Sequence, residues 1–447
     1  MNKFGLFLIA PFLIFAQQTY VPDDNFEQAL INLGYDLALD DNVLTNNINQ
    51  INDLDISDLE IESLEGIEDF AALETLIVHN NELIQVDLSQ NILLKELKCY
   101  NNQLTDLDVS QNILLEDLGC SGNQLTDLDV SQNILLEDLG CGYNQLTSLD
   151  VSQNAALEHL RCYDNKLTSL NVLFNNNLIS LDCHNQNTNG LSNIILPQTT
   201  TLLKYLDIEL NSMSTLDVSQ YTNLLRLKCQ GNQLTDIDVS QNTQLTNFQC
   251  SNNLLTEIDV SQNLELETFY CGGNFLTELD VSTNTELVLL GFVQNQINEI
   301  NLNANTNLTN LNCHSNQLTQ LDISNNSNIE ILACYNNNIE CIKVWDVDYA
   351  IQQESLVFPG TGFYFMKDPI ADWALDCSGC EDINACNYDP LAYPADNTLC
   401  VYLDGVCETC ENGLVVDNDL DNDGVCDQDE ITGCTDPAAC NYDSTPS

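Results

Sequence analysis

From Ile51 to Val344 the apolar residues follow a nested pattern, Leu94-x-x-Leu97-x-Cys99-x-x-Asn102 and then Leu104-x-x-Leu107-x-Val109-x-x-Asn112. Leu97/Cys99 and Leu107/Val109 are two residues apart, so each pair points to one face of an extended segment, and the Leu three earlier lies across the preceding bend. No half is long enough for a helix. The pattern therefore predicts two short strands per unit with a turn at each Asn. The unit recurs with a period of 21, marked by Cys99, Cys120, Cys141, Cys162, Cys183, Cys229, Cys250, Cys271, Cys313 and Cys334. Val78, Ile208 and Phe292 fill the same slot, and Ile56 fills it in a degenerate first copy, which gives about 14 coils. Stacking places like residues about 4.8 Å apart. The expected fold is mainly β, a solenoid with two short parallel strands per coil and a core of Leu, Val and Cys columns.

Asn102 to Cys120 and Asn123 to Cys141 are identical in sequence. Between Cys183 and Ile208 the interval is 25, so Asn187 to Gln198 is expected to bulge out as a loop. Columns of Asn, one through Asn102, Asn123 and Asn144 and one through Asn112, Asn133 and Asn154, sit where the chain turns. An amide there supplies a donor and an acceptor to buried turn groups. Gln186 and Tyr221 stand in for Asn in two coils.

The repeat form resembles leucine-rich repeats, in particular the bacterial 21-residue class named IRREKO. The resemblance spans about two thirds of the chain, residues 51–344. Ahead of it, residues 17–50 contain acidic N-cap candidates, a Phe26/Leu30/Leu33 stripe and Gly34, which predict one amphipathic helix over Asp24 to Leu33. This is similar to the N-terminal caps of bacterial surface leucine-rich-repeat proteins. Residues 345–377, with irregular Trp, Tyr and Phe, read as the other cap.

Residues 378–447 form a Cys-rich, apolar-poor tail, a composition that holds shape only through cross-links and bound ions. Gly379-Cys380 to Cys386-Asn-Tyr-Asp389 recurs as Gly433-Cys434 to Cys440-Asn-Tyr-Asp443, and the second copy stops at Ser447 without a counterpart of Cys400, as a chain that continues further would. Ladder cysteines in a parallel stack point the same way, so they are expected to be buried thiols, whereas a disulfide needs converging Cβ atoms. Cys341 sits in an outward slot and is free to pair beyond the cap, with Cys377 nearest in sequence. Cys377/Cys380 and Cys407/Cys410 have a zinc-like C-x-x-C form, but the tail holds no His and an exported chain favours disulfides. Cys380, Cys386, Cys434 and Cys440 join the disulfide candidates, with connectivity left open.

One ligand motif is complete. Asp419, Asp421, Asp423, Gly424, Val425, Asp427 and Glu430 fit D-x-D-x-D-G-x5-E, the spacing of hard oxygens that Ca²⁺ requires, with the Val425 carbonyl as a further ligand. No amphipathic helices flank it, so it looks like a thrombospondin type 3 or dockerin-type loop with a structural role.

Composition narrows the function. Ten Lys+Arg against 68 Asp+Glu give a net charge of -58, which argues against nucleic acid or an anionic membrane as partner. With four His and no Ser/His/Asp, Cys/His or glycine-rich phosphate signature, the chain offers little for an enzyme site. Met1 to Ala16 has the charged, apolar and small-residue order of a secretory signal, and no segment reaches membrane-spanning length. The expected location is therefore secreted or bacterial cell surface.

In the second half-repeats the outward slots are monotonous, as in Thr105, Asp106, Asp108 and Ser110. In the first half-repeats they vary and hold Lys95, Lys98, Tyr100, His159, Arg161, Tyr163, His184, Lys204, Tyr205, Arg226, Lys228, Tyr270, His314 and Tyr335. Arg and Tyr carry binding hot spots, so this is the candidate ligand-binding face. Two readings stay open. One is a binding or adhesion protein that recognises a protein or glycan on a cell surface through the varied face. The other is a structural surface component whose Asp column, which includes Asp87, Asp108 and Asp129, gathers cations.

Overall fold

The structure, a computed structural model, describes residues 17–187, 190–198, 202–358, 362–378, 382–388, 397–403, 407–411, 414–418 and 426. The leader Met1 to Ala16, Cys380, Cys434, Cys440 and the proposed ligands from Asp419 to Glu430 lie outside the described residues. The chain divides into two compact units, Met1–Leu276 and Thr277–Ser447.

The first unit opens with a strand, Gln18–Tyr20, antiparallel to Asn42–Leu44. The helix Asp24–Leu33 follows from its ends: Asp23 Oδ1 accepts from Asn25 N and Phe26 N, and Gly34 closes it with φ 85°. Asp23 Oδ2 also accepts from Glu62 N at 2.8 Å and Ser63 N at 2.9 Å, which ties the cap to the first coil. The expected stripe is corrected at one position. Phe26, Ala29 and Leu30 are buried, but Leu33 is 49% exposed because the last turn runs past the packed surface.

Beyond the cap, the first half-repeats make a parallel sheet in strict register, from Asp53–Asp55 and Thr75–Ile77 through Glu96–Lys98 to Asn247–Gln249 and Thr268–Tyr270. The middle residue of each strand, such as Leu97, Leu118 or Phe248, is fully buried, while its neighbours face out. Burying each such side chain contributes about 1.5–3 kcal/mol. The ladder cysteines lie one residue past these strands, all buried and all free thiols.

The first Asn column works as expected. Asn123 Oδ1 accepts from Leu104 N at 3.0 Å, and its amide donates to Cys99 O and Cys120 O, both at 3.0 Å. Gln186 does the same work, accepting from Leu167 N and donating to Cys162 O. In the second column only the donor side is used: Asn133 donates to Val109 O at 3.0 Å and Asn112 O at 2.9 Å, and its buried Oδ1 accepts nothing.

Two strands per coil hold only in places. In the first unit a second-side ladder forms between Ser169–Asn171 and Asn193–Ile195. Elsewhere on that side the chain is extended, with coil-to-coil bonds such as Gln124 N to Leu104 O at 2.8 Å. The Asp-x-Ser turn, in which Ser110 N donates to Asp108 Oδ1 at 2.9 Å, is common to coils with and without a ladder, since Ser324 N donates to Asp322 Oδ1 at 3.0 Å beside the paired strand Gln320–Asp322. The stretch from Asn187 to Gln198 is also more than a bulge, because Asn193–Ile195 pairs in register.

The second unit repeats the arrangement with Leu289–Gly291, Asn310–Asn312, Ile331–Ala333 and the cap strand Phe365–Met366. Its second side forms a three-stranded ladder, Gln320–Asp322, Cys341–Lys343 and Asp372–Ala374. A helix, Val347–Ser355, is N-capped by Asp346. Asp368 receives Asn336 N and Asn337 N, both at 2.8 Å, and so satisfies donors of the last coil. Cys341 is joined to Cys377, Cys386 to Cys410 and Cys407 to Cys426, and Cys400 is also disulfide-bonded. Cys407 and Cys410 therefore cross-link outward instead of holding zinc together, and Cys377 is likewise taken by Cys341. No helix among the described residues is long and apolar enough to cross a membrane.

Candidate functional site: the varied sheet face

Strand alternation turns both end residues of each three-residue strand outward, together with the residue two further on. In the first unit this aligns three columns across the coils. Glu96, Asp117, Asp138 and His159 share the first, Lys98, Gly119, Gly140, Arg161 and Asp182 the second, and His79, Tyr100, Ser121, Gly142, Tyr163 and His184 the third. Each turn after the third column needs a left-handed residue. Asn101 (φ 55°), Gly122 (φ 67°), Tyr143 (φ 50°) and Asp164 (φ 50°) fill it in successive coils. That is why Tyr143 projects, 59% exposed.

The structure joins several of the sequence candidates in pairs. Tyr100 stacks on His79 with ring centroids 4.3 Å apart, and Tyr163 stacks on His184 at 4.8 Å. Tyr143 meets the Tyr163 ring edge-on at 5.2 Å. The Arg226 guanidinium lies 5.1 Å from the Tyr205 ring centre. In the second unit His314 stacks on Tyr335 at 4.5 Å. Tyr270 is half-buried, and that burial pushes its hydroxyl pKa up. His159 occupies the first column and Lys204, which is exposed, precedes its strand; neither belongs to these stacked pairs.

Most of the basic residues serve their own face. Lys95 pairs with Glu74 at 2.6 Å, Lys98 with Asp117, Arg161 with Asp138 at 2.6 Å and Lys228 with Asp207 at 3.2 Å. Glycines make room for this. A Cβ on Gly119 would meet Lys98 Cδ at 3.0 Å, and one on Gly142 would meet the Tyr163 ring at 2.8 Å. The Lys98 side chain therefore lies over Gly119, Arg161 beside Gly140 and the Tyr163 ring over Gly142.

Sequence reading missed these glycines, Tyr143, and one mixed cluster. Asp182, His184 and Asp207 each bring a ligand atom within 4.8 Å of the others. His184 Nδ1 is 2.6 Å from Asp182 Oδ1, and this contact raises the imidazole pKa against the opposing effect of burial. Burial, then the Asp182 charge, push the Asp207 carboxyl up. The signal was present in the repeat alignment, as Asp-x-His in one coil and Asp-x-Glu in the same slots of the next. On the opposite side the Asp column has a turn role: hydrogen bonds from Ser110 hold the Asp108 carboxyl below its ordinary range, and Ser131 does the same for Asp129.

Parallel coils that share a buried Leu/Cys column and an Asn turn column define a leucine-rich-repeat protein. No family model and no curated protein matches the chain. Among solved structures it is similar to the functional domain of InlJ from Listeria monocytogenes, which includes a cysteine ladder. The identity is 35%, over 76% of this chain and 76% of that one, with a TM-score of 0.67. The chain belongs to this cysteine-ladder family of bacterial leucine-rich-repeat proteins. The internalin InlF of Listeria monocytogenes shares the fold at 23% identity, covering 72% of this chain and 91% of that one, TM-score 0.55. So does the leucine-rich effector YopM of Yersinia pestis, at 21% identity, 78% and 88% coverage, TM-score 0.57.

Proposed function

We propose that this chain is a secreted or cell-surface adhesion protein that recognises a protein or glycan through the varied face of its repeats. The observation that carries the reading is the series of outward-facing stacked aromatic pairs, with Arg161 and Arg226 among them, on the varied face, while the opposite side repeats one Asp-Val-Ser turn. Aromatic and Arg side chains held rigid by stacking lose little entropy on binding. Membership of the InlJ-like family and disulfides suited to an oxidising compartment support the same reading. The test is a protein and glycan array probed with the mature chain, followed by variants. Tyr163→Ala with Arg161→Ala is expected to weaken a specific hit at least tenfold, and Asp108→Asn with Asp129→Asn to leave it intact. A hit that is indifferent to the first pair would remove the varied face from consideration.

The tail loop completes the proposal, with Asp419, Asp421, Asp423, Asp427, Glu430 and the Val425 carbonyl as ligands of one structural Ca²⁺. Calcium is expected to protect the segment between Cys410 and Cys434 from proteolysis, and Asp419→Ala with Asp423→Ala to abolish that protection. Equal cleavage of the unmodified chain with and without calcium would dismiss the site.

A further inference from the structure

We infer that Asp182, His184 and Asp207 form a Zn²⁺ site on the sheet face of the first unit. Parallel register sets Asp182 directly opposite Asp207, and alternation returns His184 to the same face two residues later. The three ligand atoms lie within 4.8 Å of one another, a spread that one ion about 2.0–2.2 Å from each donor can close with small side-chain rotations.

Two further features separate this place from a chance group of acids. The imidazole is already positioned: its ring lies on Tyr163 with an interplanar angle of 6°, Nδ1 is 2.6 Å from Asp182, and Asp164 Oδ2 is 3.5 Å from Nε2. The charge is also unbalanced. Like charges directly opposite in a ladder repel, and Asp117 and Asp138, the register pair on the neighbouring coils, are offset by Lys98 and Arg161. At Asp182 and Asp207 the flanking cations are shared: Arg161, opposite Asp182, reaches Asp138 at 2.6 Å, and Lys228, opposite Asp207 at 3.2 Å, also lies 3.9 Å from Glu209.

A divalent ion between the two carboxylates would supply the missing charge. One imidazole with two carboxylates is a nitrogen and oxygen donor set that suits Zn²⁺ better than the all-oxygen cations Ca²⁺ and Mg²⁺. Three protein ligands at a half-buried surface leave a coordination position open to solvent. This inference does not depend on the binding role proposed above.

The test uses the full mature chain, stripped with EDTA and returned to saturating Ca²⁺ so that other acidic sites are filled. Titration with ZnCl2 by calorimetry is expected to show one Zn²⁺ per chain. His184→Gln and Asp182→Asn are each expected to weaken it at least tenfold with an unchanged circular dichroism spectrum, while His314→Gln, on the corresponding slot of the second unit, leaves it alone. Should one variant lose its native spectrum, the other carries the test. Absence of saturable Zn²⁺ binding, or binding undiminished in a folded His184→Gln or Asp182→Asn chain, would overturn the site and leave the Asp182–His184 contact as an ion pair.

Discussion

In the first turn column, one amide side chain per coil joins backbone groups of adjoining coils, and neighbouring amides share its carbonyl partners. Asn123 serves Leu104 N, Cys99 O and Cys120 O at once, all buried. Replacing it by Ala strands Leu104 N, while Cys99 O and Cys120 O keep one donor each from Asn102 and Asn144, both at 3.1 Å, and a stranded buried group costs about 1–3 kcal/mol. Asn123→Ala is therefore expected to lower unfolding free energy by about 1–3 kcal/mol, while the exposed Gln124→Ala stays within about 0.5 kcal/mol. Urea melts of the two variants decide the matter, and equal midpoints would contradict the role given to Asn123. At the same scale, Gln186 shows that the chemistry matters and not the residue name, since an amide one methylene longer reaches the equivalent partners.

The coil is the unit that the sequence specified best, and the reason is physical. Leu97, Cys99 and Leu104 are apolar because they are buried, so burial writes itself directly into the letters. What a side chain does on the surface is written less clearly. The Asp-x-Ser turn is present both where second-side strands are missing, as at Asp108, and where they form, as at Asp322, so its spacing was legible only as a uniform surface. The Tyr163/His184 stack and the Asp182/Asp207 opposition arise between coils 21 and 25 residues apart, so they emerge only once register is fixed. Register also explains the cysteines. Neighbouring thiols run parallel in a dry column, and burial pushes the Cys99 thiol pKa up to about 12. The ten ladder thiols are accordingly expected to resist alkylation at pH 8 in the native chain and to react fully in denaturant. Rapid native labelling at Cys120 or Cys141 would show that the column opens.

Across the molecule, acid is the condition to which stability should respond most plainly. Asp87, Asp108, Asp129, Asp150, Asp217, Asp238 and Asp280 all have carboxyls held below their ordinary value of 3.8 by hydrogen bonds from the Ser two residues on. A depressed folded pKa contributes stability that is present above the unfolded value and is lost as pH falls through the folded one. Melting temperature is thus expected to fall below about pH 4, with a shallower fall when Ser110, Ser131 and Ser240 are changed to Ala; an unaltered slope would place the acid sensitivity elsewhere. The identical coils ending at Cys120 and Cys141 have a consequence on another timescale. A repeat of this kind contacts little beyond its neighbours, so excising the 21 residues Asn123 to Tyr143 brings Leu118 against Leu160 and Cys120 against Cys162, the same partners by type. Such a chain is expected to fold with an unchanged circular dichroism spectrum, and a misfolded product would show that the coils are not interchangeable. Unequal crossing-over within the gene could then lengthen or shorten the array one whole coil at a time, giving heredity a way to resize the varied face without redesigning the core beneath it.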